Sequence, residues 1–187
     1  MAKKAKRTGT KVLTGEVRLS YCHLFQPYGI DGNEPKYSTA VLIPKTAKDT
    51  IKAIKEAIAE AKEQGKSKFK GGRIPANLKT PLRDGDIERP DDDAYRGCYF
   101  LNANSKLKPG VVDVDCQEVI DASEVYSGCY ARLTINFYAY SASGNQGIAA
   151  GLGNVQKLRD GEPLGGITSA ANDFGDDDED DEDDILD

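Results

Sequence analysis

Apolar and polar residues alternate over residues 12–21, with Val17, Leu19 and Tyr21 pointing one way and Glu16, Arg18 and Ser20 the other. That period of two predicts a half-buried β-strand. Pro27, Gly29, Asp31, Gly32 and Pro35 then predict a loop, and a short β-rich run over residues 37–43 is closed by Pro44. The period changes over residues 46–65. Ile51, Ile54, Ile58 and Ala61 recur at helical spacing while Lys52, Lys55, Glu56, Glu60 and Glu63 take the other faces, so this stretch predicts the one main α-helix. Thr46 and Asp49 suit its start and Gly65 its end.

Residues 66–73 read KSKFKGGR, and residues 74–97, with Pro75, Pro81, Pro90 and the run Asp91 to Asp93, read as a long loop. Strands are predicted again at 97–104, around 111–114 and 116–120, and most clearly at 128–140. Residues 144–166 are too rich in glycine for a long helix and predict short strands or tight turns. Several strands with a single helix predict a mainly β fold, a small barrel with the helix as plug or lid. A parallel α/β sheet would need a crossover helix after nearly every strand.

Charge changes the picture at both ends. The last fifteen residues hold eleven of the thirty-one carboxylates and no Lys or Arg. Without them the chain has twenty-five cations against twenty carboxylates, a body of about +5 despite the net charge of -6. The division expected is a mobile basic arm at 1–11, one domain at 12–166, and a flexible, disordered acidic tail at 167–187. A basic body with an acidic tail suits a polyanionic partner, the tail standing in for that partner; a plain solubilising tail is the alternative. The basic N-terminus lacks the apolar run of a signal peptide and no segment reads as a bilayer-crossing helix, which predicts an intracellular soluble protein. Cys22, Cys98, Cys116 and Cys129 are not paired as a zinc site needs and read as reduced thiols, so neither a metal nor any other cofactor is expected.

The segment 128–140 carries the clearest candidate chemistry. Cys129, Ala131, Leu133, Ile135, Phe137 and Ala139 form an apolar face, and Tyr130, Arg132, Thr134, Asn136, Tyr138 and Tyr140 form the other. Tyrosines stack on any nucleobase and arginine pairs with phosphate, so this face predicts a platform for unpaired nucleic acid. The alternative is a second core beneath the long loop. Phe100 and Asn102, with Asn104, extend the platform on the neighbouring strand. Lys66, Lys68, Phe69, Lys70 and Arg73 predict a loop that closes over the nucleic acid with an exposed ring at its centre. A rival reading is a metal-dependent nuclease or recombination enzyme using Asp84, Asp86, Asp113 and Asp115 to chelate Mg2+, although nothing in the spacing ties these into one site. The glycine-rich GNQGIAAGLG lacks the Lys-Ser/Thr ending of a phosphate-binding loop, and Cys22 and His23, as neighbours, would point to opposite sides of a strand. A third reading is a protein whose acidic tail mimics DNA while its body binds none.

Taken in order, GEVRLSYCHLFQP, KYSTAVLIPK, TPLRDGDIERP, YFLNANSKLKPGVVD, EVYSGCYARLTINFYAY and GNQGIAAGLGNVQKLRDGEPLGG, spanning about residues 15–166, resemble the tailed-phage single-stranded DNA-binding proteins of OB-type fold. The resemblance implies a non-catalytic, sequence-nonspecific protein that coats and protects unpaired DNA during phage replication, recombination or repair, in the cytoplasm of the infected bacterial host. It also implies a tail that competes with DNA and recruits phage or host replication and recombination proteins. That role falls on Asp176, Asp177, Asp178, Glu179, Asp180, Asp181, Glu182, Asp183, Asp184, Ile185 and Leu186. The chain ends in Asp184, Ile185, Leu186 and Asp187, where the best-known bacterial tails end in Pro-Phe. Oligomeric state does not follow from spacing, and a homo-oligomer is left open.

Overall fold

A computed structural model describes residues 3–29 and 32–164. In chain order the strands are β1 (Lys6–Thr8), β2 (Lys11–Leu13), β3 (Val17–Tyr28), β4 (Lys36–Pro44), β5 (Arg83–Asp84), β6 (Cys98–Ser105), β7 (Val111–Val112), β8 (Tyr130–Ala142) and β9 (Asn145–Arg159). Helix α1 (Lys48–Gln64) links β4 to the β5 region, and one turn, α2 (Gly85–Glu88), follows β5. Among the described residues no helix is long and apolar enough to cross a membrane.

Five strands close on themselves. β3 pairs antiparallel with β4, β4 with β6, β6 runs parallel to β9, β9 pairs antiparallel with β8, and β8 returns to β3 through Val17↔Ala131 and Arg18↔Tyr130. This ring is the partly open five-stranded barrel of the OB type. Alternation fills it: Val41, Ile43, Leu101, Ala103, Leu133, Ile135, Phe137, Ile148 and Ala150 are all buried in one cluster. Helix α1 plugs that cluster with Ile51, Ile54, Ala57, Ile58 and Ala61. It starts at Lys48 rather than near Thr46. Asp49, which suits a helix start, accepts the Ala5 N–H at 3.0 Å, and the buried Thr50 hydroxyl next to it accepts that of Gly15 at 3.1 Å.

Three expectations change. The segment expected to be a mobile arm is, from Lys6 onward, a hairpin of β1 and β2 turning at Gly9, whose φ of +60° suits a residue without Cβ. Val12 is fully buried, β2 pairs with β8 at Lys11↔Asn136, and Arg7 forms ion pairs with Glu56 at 3.2 Å and Glu60 at 3.6 Å. The glycine-rich stretch expected to hold short strands or turns contains β9, fifteen residues long. Its Ile148, Ala150, Leu152 and Val155 point inward, so outward glycine costs it no core packing. The loop over 74–97 folds back on the barrel: β5 pairs with β6, and Tyr95 packs edge-on against Phe100 at 5.0 Å, forming with Leu42 a small second core outside the ring. Around 116–120 the described backbone makes only a bridge, Val112↔Glu118.

Candidate nucleic-acid interface

Strand β8 has the two faces its sequence predicts. Cys129, Ala131, Leu133, Ile135, Phe137 and Ala139 are buried, whereas Tyr138 is 42% exposed, Asn136 is exposed, and Tyr130, Arg132, Thr134 and Tyr140 are half-buried. What Tyr138 and Tyr140 overlook comes from β9. Its outward positions there are Gly147, Ala149 and Gly151, paired with Tyr140, Tyr138 and Asn136. A Cβ added at Gly151 would lie 3.5 Å from the Tyr138 ring, and one at Gly147 only 2.8 Å from the Tyr140 hydroxyl. The rings therefore lean over bare backbone.

Beyond that row, Asn104 on β6 faces Gly151, and Asn102 is exposed two residues before it. The Lys79 carbonyl accepts the Ile148 N–H at 2.9 Å, which fixes residues 79–81 along the same rim. Lys79, Thr80, Arg83, Asn102, Asn104, Tyr140 and Ala149 line one groove. Arg83 is held over Phe100 at 5.2 Å by the Glu88 carboxylate at 2.7 Å, which also raises its pKa above the ordinary guanidinium value. Sequence reasoning missed Lys79 and the β9 row. The signal was the alternation Gly147, Ala149, Gly151 against Ile148, Ala150, Leu152.

Tyr130 and Arg132 belong to a second cluster, about 27 and 20 Å along β8 from Tyr138 at the usual rise per residue. The Arg159 guanidinium lies 3.8 Å from the Tyr130 ring centroid and is tied to Glu16 at 2.7 Å. Arg18, on the same ring at 5.4 Å, donates to the carbonyls of Gly128 at 3.0 Å and Glu162 at 2.6 Å. Arg132 donates to the Thr14 and Lys4 carbonyls at 3.3 and 3.4 Å. These groups already hold the segments at Lys4 and Glu162 against the barrel, so the platform expected to be continuous is divided in two.

Two rings assigned to stacking are enclosed. Phe100 is 1% exposed beneath Tyr95, because outward positions of β4 and β6 are covered by the segment after β5. Phe69 is 2% exposed and joins the main core, since the glycines and lysines around it let the loop turn the ring inward. Of its neighbours, Lys66 pairs with Glu63 at 3.7 Å and Lys68 donates to the Ala139 carbonyl at 3.3 Å. Lys70 and Arg73 are exposed. The loop is thus an anchored corner beside the tyrosine end of β8.

The four aspartates of the nuclease reading are not brought together as ligands. Lys45 holds Asp84 at 2.9 Å and Asp86 at 2.8 Å, while Asp113 accepts the N–H groups of Asp115 and Gln117 within its own turn. No group of three or more potential metal ligands occurs among the described residues. The tail residues Asp176 to Leu186 lie outside the described residues, as do 165 and 166 of the expected domain.

From residue 10 to residue 186 the sequence matches the family described as "Enterobacter phage Enc34, ssDNA-binding protein". A protein of Acyrthosiphon pisum secondary endosymbiont phage 1, called putative protein p50, is 33% identical over 174 residues, covering 89% of this chain and 93% of its own. The single-stranded DNA-binding protein of bacteriophage Enc34, solved in complex with ssDNA, superposes with a TM-score of 0.72 at 32% identity over 88% of this chain and 98% of that one. The single-stranded DNA-binding protein encoded by bacteriophage T7 shares the fold at a TM-score of 0.56 and 13% identity, over 85% of this chain and 97% of that one. A barrel of this order with its tyrosines turned outward, and a match over nearly the whole length, give one conclusion: the chain belongs to the family of the Enterobacter phage Enc34 ssDNA-binding protein.

Proposed function

We propose that this chain binds single-stranded DNA without sequence preference, in the groove between Tyr138 and Tyr140 on one side and Asn102 and Asn104 on the other. The observation that carries the reading is the pair of outward tyrosines leaning over the bare Gly147 and Gly151 backbone, with Lys79 and Arg83 on the rim. Unpaired bases can lie on the rings while phosphates meet the cations; duplex bases are already stacked on one another and gain less. The Enc34 relative, solved with ssDNA, supports the same ligand class. Lys70 and Arg73 add cations near the tyrosine end, whereas Tyr130 and Arg132 act through the fold. On this reading the protein coats transient single strands in the infected bacterial cell and serves phage replication, recombination or repair.

The acidic tail fits the same scheme. Leu164, the last described residue, packs beside Leu42, Tyr95 and Phe100 on the outside of the barrel. The tail competes with DNA and, once displaced, offers Ile185 and Leu186 to replication partners.

Titration of single-stranded and duplex oligonucleotides against salt tests the binding reading. Preference for the single strand is expected, with log affinity falling by roughly 0.7 per phosphate contact against log salt. Tyr138→Ala should weaken binding about five-fold or more while leaving the thermal midpoint nearly unchanged, because the ring is already part-exposed. Lost stability with retained affinity would reverse the face assignment.

A further inference from the structure

Tyr28, at the end of β3, is 56% exposed, and one face of its ring lies flat on His23, with centroids 4.4 Å apart and planes 11° from parallel. A phenol held this way presents one free π-face and has little rotational freedom left to lose. Register places the pair in line with the proposed site. Tyr28 is opposite Lys36, His23 is opposite Ser38, and Ser38 is opposite Asn104. Asn104 lines the tyrosine groove on one side and, on the other, a second groove formed with Tyr28, Asn33, Lys36, Ser38 and Lys106.

From this continuity we propose that Tyr28, backed by His23, is a second base-stacking plate for single-stranded DNA. The strand runs from Tyr140 and Tyr138 over Asn104 to the β3–β4 hairpin, a path of roughly 19 Å across four strand spacings. This rests on the function proposed above and extends it to a subsite. The other route over the barrel, past Leu42 and Phe100, is closed by Tyr95. Lys36 and Lys106 supply phosphate contacts at the hairpin. Lys106 is paired with Glu34 at 3.2 Å, but both side chains are about two-thirds exposed, and a solvent-screened pair of that kind is exchanged for a phosphate at small cost.

The chain contains no tryptophan, so Tyr28→Trp in the full-length protein creates a single reporter. Its emission should be quenched when a thymidine oligonucleotide long enough to cross all five strands is added, and should recover at high salt. Tyr28→Ala should weaken binding of that oligonucleotide about five-fold or more, and Tyr28→Phe should bind like wild type, both with unchanged thermal midpoints. If Tyr28→Ala and the tryptophan emission are indifferent to DNA while Tyr138→Ala binds poorly, the hairpin subsite is refuted and the main groove stands. If Tyr138→Ala also binds like wild type, both fall. A Tyr28→Phe loss equal to that of Tyr28→Ala would assign the effect to the hydroxyl and refute stacking.

Discussion

Aromatic rings stand at both position 100 and position 138, yet the first is sealed beneath Tyr95 and the second opens to solvent. Burial separates their duties, and mutation should too. Phe100→Ala is expected to cost about 3–5 kcal/mol of stability, as aromatic truncations in cores do, read as a lowered denaturation midpoint. The thiols give a second test at this scale. Burial pushes the Cys22 thiol up to about 12 and also raises those of Cys98 and Cys129. Cys116 is exposed. At mildly alkaline pH a thiol reagent should therefore modify Cys116 first, the half-buried Cys22 and Cys98 more slowly, and the buried Cys129 only as the protein unfolds; Cys129 reacting as fast as Cys116 would contradict its burial.

Among elements, β9 shows how glycine serves the groove. At Gly147 an added methyl would meet the Lys79 carbonyl and the Tyr140 hydroxyl, both at 2.8 Å. Gly147→Ala should displace the rim and weaken DNA binding, and quenching of tyrosine emission by oligonucleotide would reveal it. The link from β4 to α2 is electrostatic. Asp86 is held below the ordinary 3.8 chiefly by the Lys45 ammonium and then by the Gly97 N–H. Because the folded pKa is depressed, its stabilising effect is present above 3.8 and is lost as pH falls through the lower folded value. The thermal midpoint of wild type should decline on acidification below about pH 4, more steeply than that of Lys45→Met.

Legibility in the sequence followed periodicity. Strand β8 and helix α1 could be read because apolar and polar residues alternate there with one clear period. Strand β9 could not, since outward glycine carries the signature of a turn. Nor could the covering segment after β5, whose order depends on the outer face of β4 and β6 and not on any period of its own. Phe69 misled for a related reason: lysines beside a ring say nothing about which way the backbone turns it. Lys79 joins the groove through its main chain, for which side-chain patterns give no signal.

At the scale of the whole molecule, the last fifteen residues oppose a body of about +5. On the proposed reading, tethering gives such a segment an effective concentration on the order of millimolar, enough to contend with weakly held DNA but not with a long bound strand. Deleting residues 173–187 should tighten oligonucleotide binding; identical affinities for the two forms would exclude competition by the tail.

Ring closure also bears on synthesis. The partners that seal β3 and β6 are β8 and β9, so the first half of the barrel waits for residues 130–159, made after it. A ribosome releasing this chain delivers the helix and three strands with their apolar sides uncovered, and such distant pairings form slowly. The closed ring, and with it the face shared by β8, β9 and β6, therefore forms only after β9 has been made.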